Sequence, residues 1–78
     1  MSSQAPTTLD LRGLRCPLPL LRLKQALHHC KTGDEVLALT TDSGALRDIP
    51  AFLRQAGPEL LASSTADSGE TTFHLRKG

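Results

Sequence analysis

Two prolines one residue apart, Pro17 and Pro19, follow directly on Cys16 and leave the backbone few choices. Neither can donate a backbone hydrogen bond, a loss best tolerated in the first turn of a helix, where the N–H groups have no intrahelical partner. Pro17 also biases Cys16 away from helical dihedrals. The stretch Leu14-Arg15-Cys16-Pro17-Leu18-Pro19-Leu20-Leu21 therefore predicts an extended segment turning into a helix. Cys16 is expected at the N-cap, with its sulfur near the positive end of the helix dipole. A thiol so placed is expected to have a lowered pKa and a larger thiolate fraction at neutral pH.

The hydrophobic pattern on either side predicts the remaining elements. Residues 1–8 are polar and expected to be flexible, leaving residues 9–78 as a single domain. Leu9-Asp10-Leu11-Arg12 alternates as a half-buried strand does, and Gly13 permits the turn before Cys16. From Pro17 to about Cys30, Leu20, Leu23, Leu27 and Cys30 recur at helical spacing, and Gly33 after Lys31 is a stop signal. The apolar run Glu35–Thr41 suits a buried central strand. A second helix is expected over about Ala45–Ala56, with Leu46, Ile49, Leu53 and Ala56 on its buried stripe and Pro50 shortening or kinking its first turns. Strands over about Glu59–Thr65 and Glu70–Arg76 form a hairpin at Asp67-Ser68-Gly69. The order β-α-β-α-β-β predicts an α+β fold. Two helices can cover only one face of a four-stranded sheet, giving a two-layer sandwich.

Charge narrows the partners. The net charge of the 78 residues is +1, too small for a protein built around phosphate contacts, so nucleic acid is not expected as a direct partner. Its distribution is uneven: Arg12, Arg15, Arg22, Lys24 and Lys31 stand between Leu11 and Gly33 with no acid among them, which places Cys16 in a basic region. No run approaches the length of a membrane span and the N-terminus lacks a signal-peptide core, so a cytoplasmic protein is expected. Two cysteines give no disulfide framework.

With Leu9-Asp10, Gly13-Leu14-Arg15-Cys16-Pro17-Leu18-Pro19, a strand ending in Thr41-Asp42, Arg47-Asp48-Ile49-Pro50 with Phe52, and the closing Leu75-Arg76-Lys77-Gly78, the chain resembles the TusA/SirA/YedF family of small sulfur carriers. The resemblance runs from about Leu9 to the end. It implies two helices on a mixed four-stranded sheet and a cysteine that carries sulfane sulfur as a persulfide. In the TusA branch a cysteine desulfurase loads that cysteine, and a relay of acceptor proteins delivers the sulfur to 2-thiouridine at the tRNA wobble position. Other members serve sulfur oxidation or molybdenum cofactor maturation. The chain departs from TusA at Leu18, where an acidic residue is common between the prolines, and at Leu53, where many members have a cysteine.

On this basis Cys16 is the expected persulfide residue, supported by Gly13, Arg15, Pro17 and Pro19. Leu18, Leu21, Arg22, Lys24, Arg47 and Asp48 are the expected docking residues. Leu18 falls on the polar side of the first helix, where an apolar side chain beside the reactive cysteine suits partner contact. Arg47-Asp48 reads equally as a surface pair near a helix start, where Asp48 favours the dipole, or with Arg47 helping to bind an acidic partner or positioning the Cys16 loop. Cys30 continues the apolar stripe and is expected to pack as a small hydrophobe. His28-His29-Cys30 cannot converge on one metal ion, because adjacent helical residues point ~100° apart. His74 alternates with Phe73 and Leu75 and is expected to face solvent. No cofactor and no metal are expected, and the carrier is expected to be a monomer. A regulatory interaction module with a redox-sensing cysteine is the alternative on the same fold. A stand-alone thiol enzyme is disfavoured by the lack of a resolving cysteine near Cys16.

Overall fold

Val36, Ala38 and Thr40 are buried while Glu35, Leu37 and Leu39, which alternate with them, are only half-buried, the signature of a strand covered fully on one face. A computed structural model describes residues 6–78. This strand, β2 (Glu35–Thr40), lies inside a sheet of order β1-β2-β4-β3, with β1 at Thr7–Asp10, β3 at Glu59–Thr65 and β4 at Thr71–Arg76. β1 runs parallel to β2, and the crossover that a parallel pair requires is α1 (Leu18–His28). β4 is antiparallel to both β2 and β3. α2 (Ala45–Ala56) connects β2 to β3. The α+β fold is thus β-α-β-α-β-β, with two helices on a mixed four-stranded sheet.

Both helices bury their apolar stripes in one cluster. Leu23 and Leu27 of α1 and Ala45, Ile49 and Leu53 of α2 meet Val36, Ala38, Phe73 and Leu75 from the sheet, with Leu11 below them. Leu9, Leu20, Cys30 and Phe52 pack at its margin. The two buried threonines are satisfied: Thr40 Oγ1 accepts from the Asp42 N–H at 3.2 Å, and Thr71 Oγ1 pairs with Thr65 Oγ1 at 3.0 Å.

Several expectations are corrected. β1 begins at Thr7, so the last two residues of the segment expected to be flexible pair with β2, while residues 1–5 lie outside the described residues. Leu46 is 41% exposed and Ala56, at the end of α2, is exposed as well; Ala45 takes the place of Leu46 on the buried stripe. Ala45 and Leu46 both share a helical repeat with Ile49 and Leu53, and the small side chain is the one that faces the core. Pro50 does not shorten α2, which runs through it to Ala56. The proline removes the N–H that would have reached Leu46 O, and Leu46 lies on the exposed side of the helix. His74 is half-buried and pairs with Glu35 Oε1 across the strands at 2.6 Å, since cross-strand neighbours on the open face lie within side-chain reach. α1 ends at His28, two residues before the expected limit, and its last turn has an unexpected cap: Lys77 Nζ donates to Leu27 O at 2.6 Å and to Cys30 O at 2.9 Å.

Candidate functional site

Because β1 and β2 are parallel, both leave the sheet at the same end, and the loops that follow them are neighbours. The Leu11 N–H donates to Leu39 O at 2.7 Å, and the Gly13 N–H donates to Thr41 Oγ1 at 3.0 Å. Gly13 has φ +83°, a conformation open to glycine without strain, so the chain can reverse there toward α1. Arg15 to Leu18 then form a tight turn in which the Leu18 N–H donates to Arg15 O at 2.8 Å, with a cis Cys16–Pro17 peptide.

This turn moves the sulfur from its expected place. α1 starts at Leu18, Pro17 occupies the N-cap position with no side-chain cap bond, and Cys16 lies one residue outside the helix. Pro19 rather than Pro17 is inside the first turn, and it is buried. Cys16 is exposed at the corner.

On the opposite side of the cleft stands the start of α2. Asp42 Oδ2 accepts from the Ala45 N–H at 3.1 Å and fixes the first turn. Gly44 allows this turn to come close: a Cβ there would lie 3.0 Å from Asp42 Oδ2 and 3.5 Å from Cys16 Cβ. One turn further on, Asp48 faces the sulfur, and Cys16 Sγ donates to Asp48 Oδ2 at 3.3 Å. Cys16, Pro17, Pro19, Leu20, Asp42, Ala45 and Asp48 together line a narrow cleft.

The electrostatics overturn the expected activation of the thiol. The Cys16 thiol is pushed above its ordinary pKa, first by the hydrogen bond to Asp48, then by desolvation, then by the negative charges of Asp48 and Asp42. The N-cap position and the basic surroundings of Cys16 lead one to expect a favoured thiolate. The sulfur instead lies outside the helix, beside two carboxylates brought close by a contact 32 residues away in sequence.

The other expected residues divide into two groups. Leu18 and Leu21 are each 46% exposed on α1, and Arg15, Arg22, Lys24 and Arg47 are exposed as well. Lys24 is engaged within the fold, its ammonium 5.3 Å from the centre of the Phe52 ring. A groove of about 270 Å³ lined by Leu20, Lys24, Asp48, Ala51, Phe52 and Gln55 adjoins the cleft through Leu20 and Asp48. Asp48 thus belongs to the Cys16 cleft, whereas its neighbour Arg47 points outward. Thr41, Asp42 and Gly44 complete the site. Asp42 and Gly44 are not among the site residues expected from the sequence; the parallel β1–β2 pair brings the loop that carries them beside Cys16. His28 and His29 meet edge to face at 6.0 Å between ring centres, and among the described residues no group of three ligating side chains is present. No helix among the described residues is long and apolar enough to cross a membrane.

Comparison with known proteins places the chain in a family. The chain is 52% identical over 60 residues to a protein of Neisseria meningitidis serogroup A provisionally named a sulfur carrier, a match covering 77% of this chain and 81% of the relative. It is 39% identical over 69 residues to the sulfur carrier protein TusA of Allochromatium vinosum, covering 88% and 90% of the two chains. The crystal structure of a SirA-like protein from Desulfitobacterium hafniense has the same fold, with a TM-score of 0.79 at 23% identity over 92% of this chain and 97% of that one. Residues 7–77 match the family described as Sulfurtransferase TusA, and the chain belongs to that family of sulfur carriers.

Proposed function

We propose that the protein carries sulfane sulfur as a persulfide on Cys16 and passes it between partner proteins. The observation that carries this reading is the place of Cys16: an exposed sulfur on a strand-to-helix corner, in a chain of the TusA family. Loading joins Cys16 Sγ to the outer sulfur of a donor persulfide and breaks the donor's S–S bond. One thiol proton moves from Cys16 to the departing donor sulfur, so the sum of the two partners is unchanged in oxidation state. Delivery is the same exchange with an acceptor thiolate as the attacking group. Both steps need a second protein's cysteine to reach the sulfur, which an open corner allows and a deep pocket would not.

A cysteine desulfurase is the donor that best suits this chemistry, and sulfur delivery toward tRNA 2-thiouridine through a downstream acceptor is the pathway we favour. Molybdenum cofactor maturation and sulfur oxidation would use the same loaded carrier. The test is intact mass after incubation with a cysteine desulfurase and cysteine. The loaded protein should gain about 32 Da, the mass of one sulfur atom, reversibly with reductant and on the peptide containing Cys16. A protein that gains no such mass, while a known carrier does so in parallel, would refute the proposal.

A further inference from the structure

The cleft joins the Cys16 sulfur to Asp48, a carboxylate expected from the sequence as part of a surface pair or of the docking surface. Among the described residues Asp48 takes part in no salt bridge, and its Oδ2 is spent on Cys16 Sγ at 3.3 Å. We propose that Asp48 is a positioning and specificity residue: it holds Cys16 as a thiol in the free protein and favours exchange with partners that bring positive charge to the reacting sulfur. The inference rests on the reading that Cys16 is the exchanging sulfur.

Exchange begins when the Sγ proton leaves, and the anion left behind faces Asp48 from α2 and Asp42 from the β2–α2 loop. The nearby cations are less well placed. Arg15 sits on the same turn as Cys16 and extends to solvent, Arg47 is exposed on α2, and Lys24 reaches across the neighbouring groove to Phe52. The upward shift of the Cys16 thiol agrees with that balance. A cationic side chain docked beside Asp48 offsets the carboxylate and lowers the cost of the sulfur anion. The transfer itself still balances as above: one S–S bond forms, one breaks, and the proton lost by Cys16 is matched by one taken up on the departing thiolate.

The test uses the Cys30→Ala protein, so that Cys16 is the only thiol. Its alkylation rate with iodoacetamide across pH gives the thiol midpoint. Its exchange rates with cystamine, which is doubly cationic, and with the neutral bis(2-hydroxyethyl) disulfide give a charge preference. Asp48→Asn should lower the midpoint by about one pH unit, because an anion and acceptor are replaced by a neutral amide that can donate to the thiolate. The rate near pH 7 then rises by up to about tenfold, and the preference for cystamine falls. Asp48→Glu, which keeps the charge, should hold both values nearer to those of the parent. In the parent protein, added salt should shrink the preference, lowering the cystamine rate relative to that of the neutral disulfide.

An unmoved midpoint or an unmoved preference in Asp48→Asn overturns the proposal. If that variant does not fold, a preference in the parent that is indifferent to salt overturns it instead. None of these measurements uses a sulfur donor. A failure of persulfide loading would therefore refute the proposed function and leave them intact, and the reverse also holds.

Discussion

Replacing Lys77 with methionine removes a cap from α1 while keeping most of the stem that leads to it. Lys77 Nζ donates to Leu27 O at 2.6 Å and to Cys30 O at 2.9 Å, and its backbone is held by pairing of its N–H with Asp34 O and of its carbonyl with the Gly33 N–H, both at 2.8 Å. The ammonium thus satisfies two carbonyls at the negative end of the helix and ties α1 to the chain beyond β4. A hydrogen bond from a charged donor contributes about 1.5–3 kcal/mol when it is buried. The side chain here is half-buried, so water replaces part of the loss, and a partly buried cation at a helix C-terminus is worth up to about 2 kcal/mol. Lys77→Met should therefore destabilise the fold by about 1–2 kcal/mol. That lowers the melting temperature by about 5–15 °C at ~4–8 °C per kcal/mol for a domain of this size. Urea unfolding followed by circular dichroism, with Lys77→Arg as the variant that keeps a cationic donor, measures it. Cys16 lies at the opposite end of an 11-residue helix, about 16 Å away along its axis, so persulfide loading of the folded variant should be unchanged. A urea midpoint equal to wild type in Lys77→Met would show that water caps these carbonyls equally well. The structural role given to Lys77 would then be wrong.

Three further outcomes follow from the site. Cys16→Ser should abolish sulfur transfer with the fold intact, while Cys30→Ala, which removes a half-buried thiol at the margin of the core, should leave transfer largely unchanged; peptide mapping that finds loading on Cys30 would overturn the assignment. Reversing Arg22 and Lys24 to Glu should slow sulfur uptake from a desulfurase at low salt and less so at high salt, at a stability cost of about 0.5–1 kcal/mol from the lost Lys24–Phe52 contact. Slowing that ignores ionic strength would remove electrostatic steering as its cause. Leu18→Ala should weaken partner binding by up to roughly tenfold, about 1–2 kcal/mol, with stability almost unchanged because the side chain is 46% exposed; a titration of persulfide transfer beside a denaturation curve separates the two effects.

The order of elements was legible because each has its own periodicity and its own stop signal. Leu20, Leu23 and Leu27 could form a stripe only on a helix, and Gly57, with φ +106°, ends α2 where the apolar pattern stops. The register of α2 was not legible. Leu46 and Ala45 each share a helical repeat with Ile49 and Leu53, and hydrophobicity favours leucine. Packing decides otherwise: Ala45 is buried at the start of α2 and lines the Cys16 cleft, while Leu46 turns outward and is 41% exposed. The Lys77 cap was invisible for a similar reason: it joins residues 47 and 50 positions apart, and no local pattern marks a lysine that will fold back on a distant helix end.

The site divides along the same line between local and long-range causes. Cys16 could be singled out from its neighbours alone, since a cysteine before two spaced prolines has to stand at a corner. Its chemical state could not, because the groups that set it arrive from elsewhere in the chain. Local sequence alone points to the positive end of α1 for the sulfur, and a turn displaced by a single residue is enough to put it outside the helix. What then governs the thiol is the parallel pairing of β1 and β2, which brings the Asp42 loop and the first turns of α2 against it. A carrier need not be maximally reactive when alone. A sulfur that stayed anionic in solution would be exposed to every oxidant it met. One held as a thiol by Asp48 keeps its proton until a partner changes the charge around it. The raised thiol and the exposed corner are therefore consistent with one task, in which access is open at all times and reactivity is supplied by the encounter.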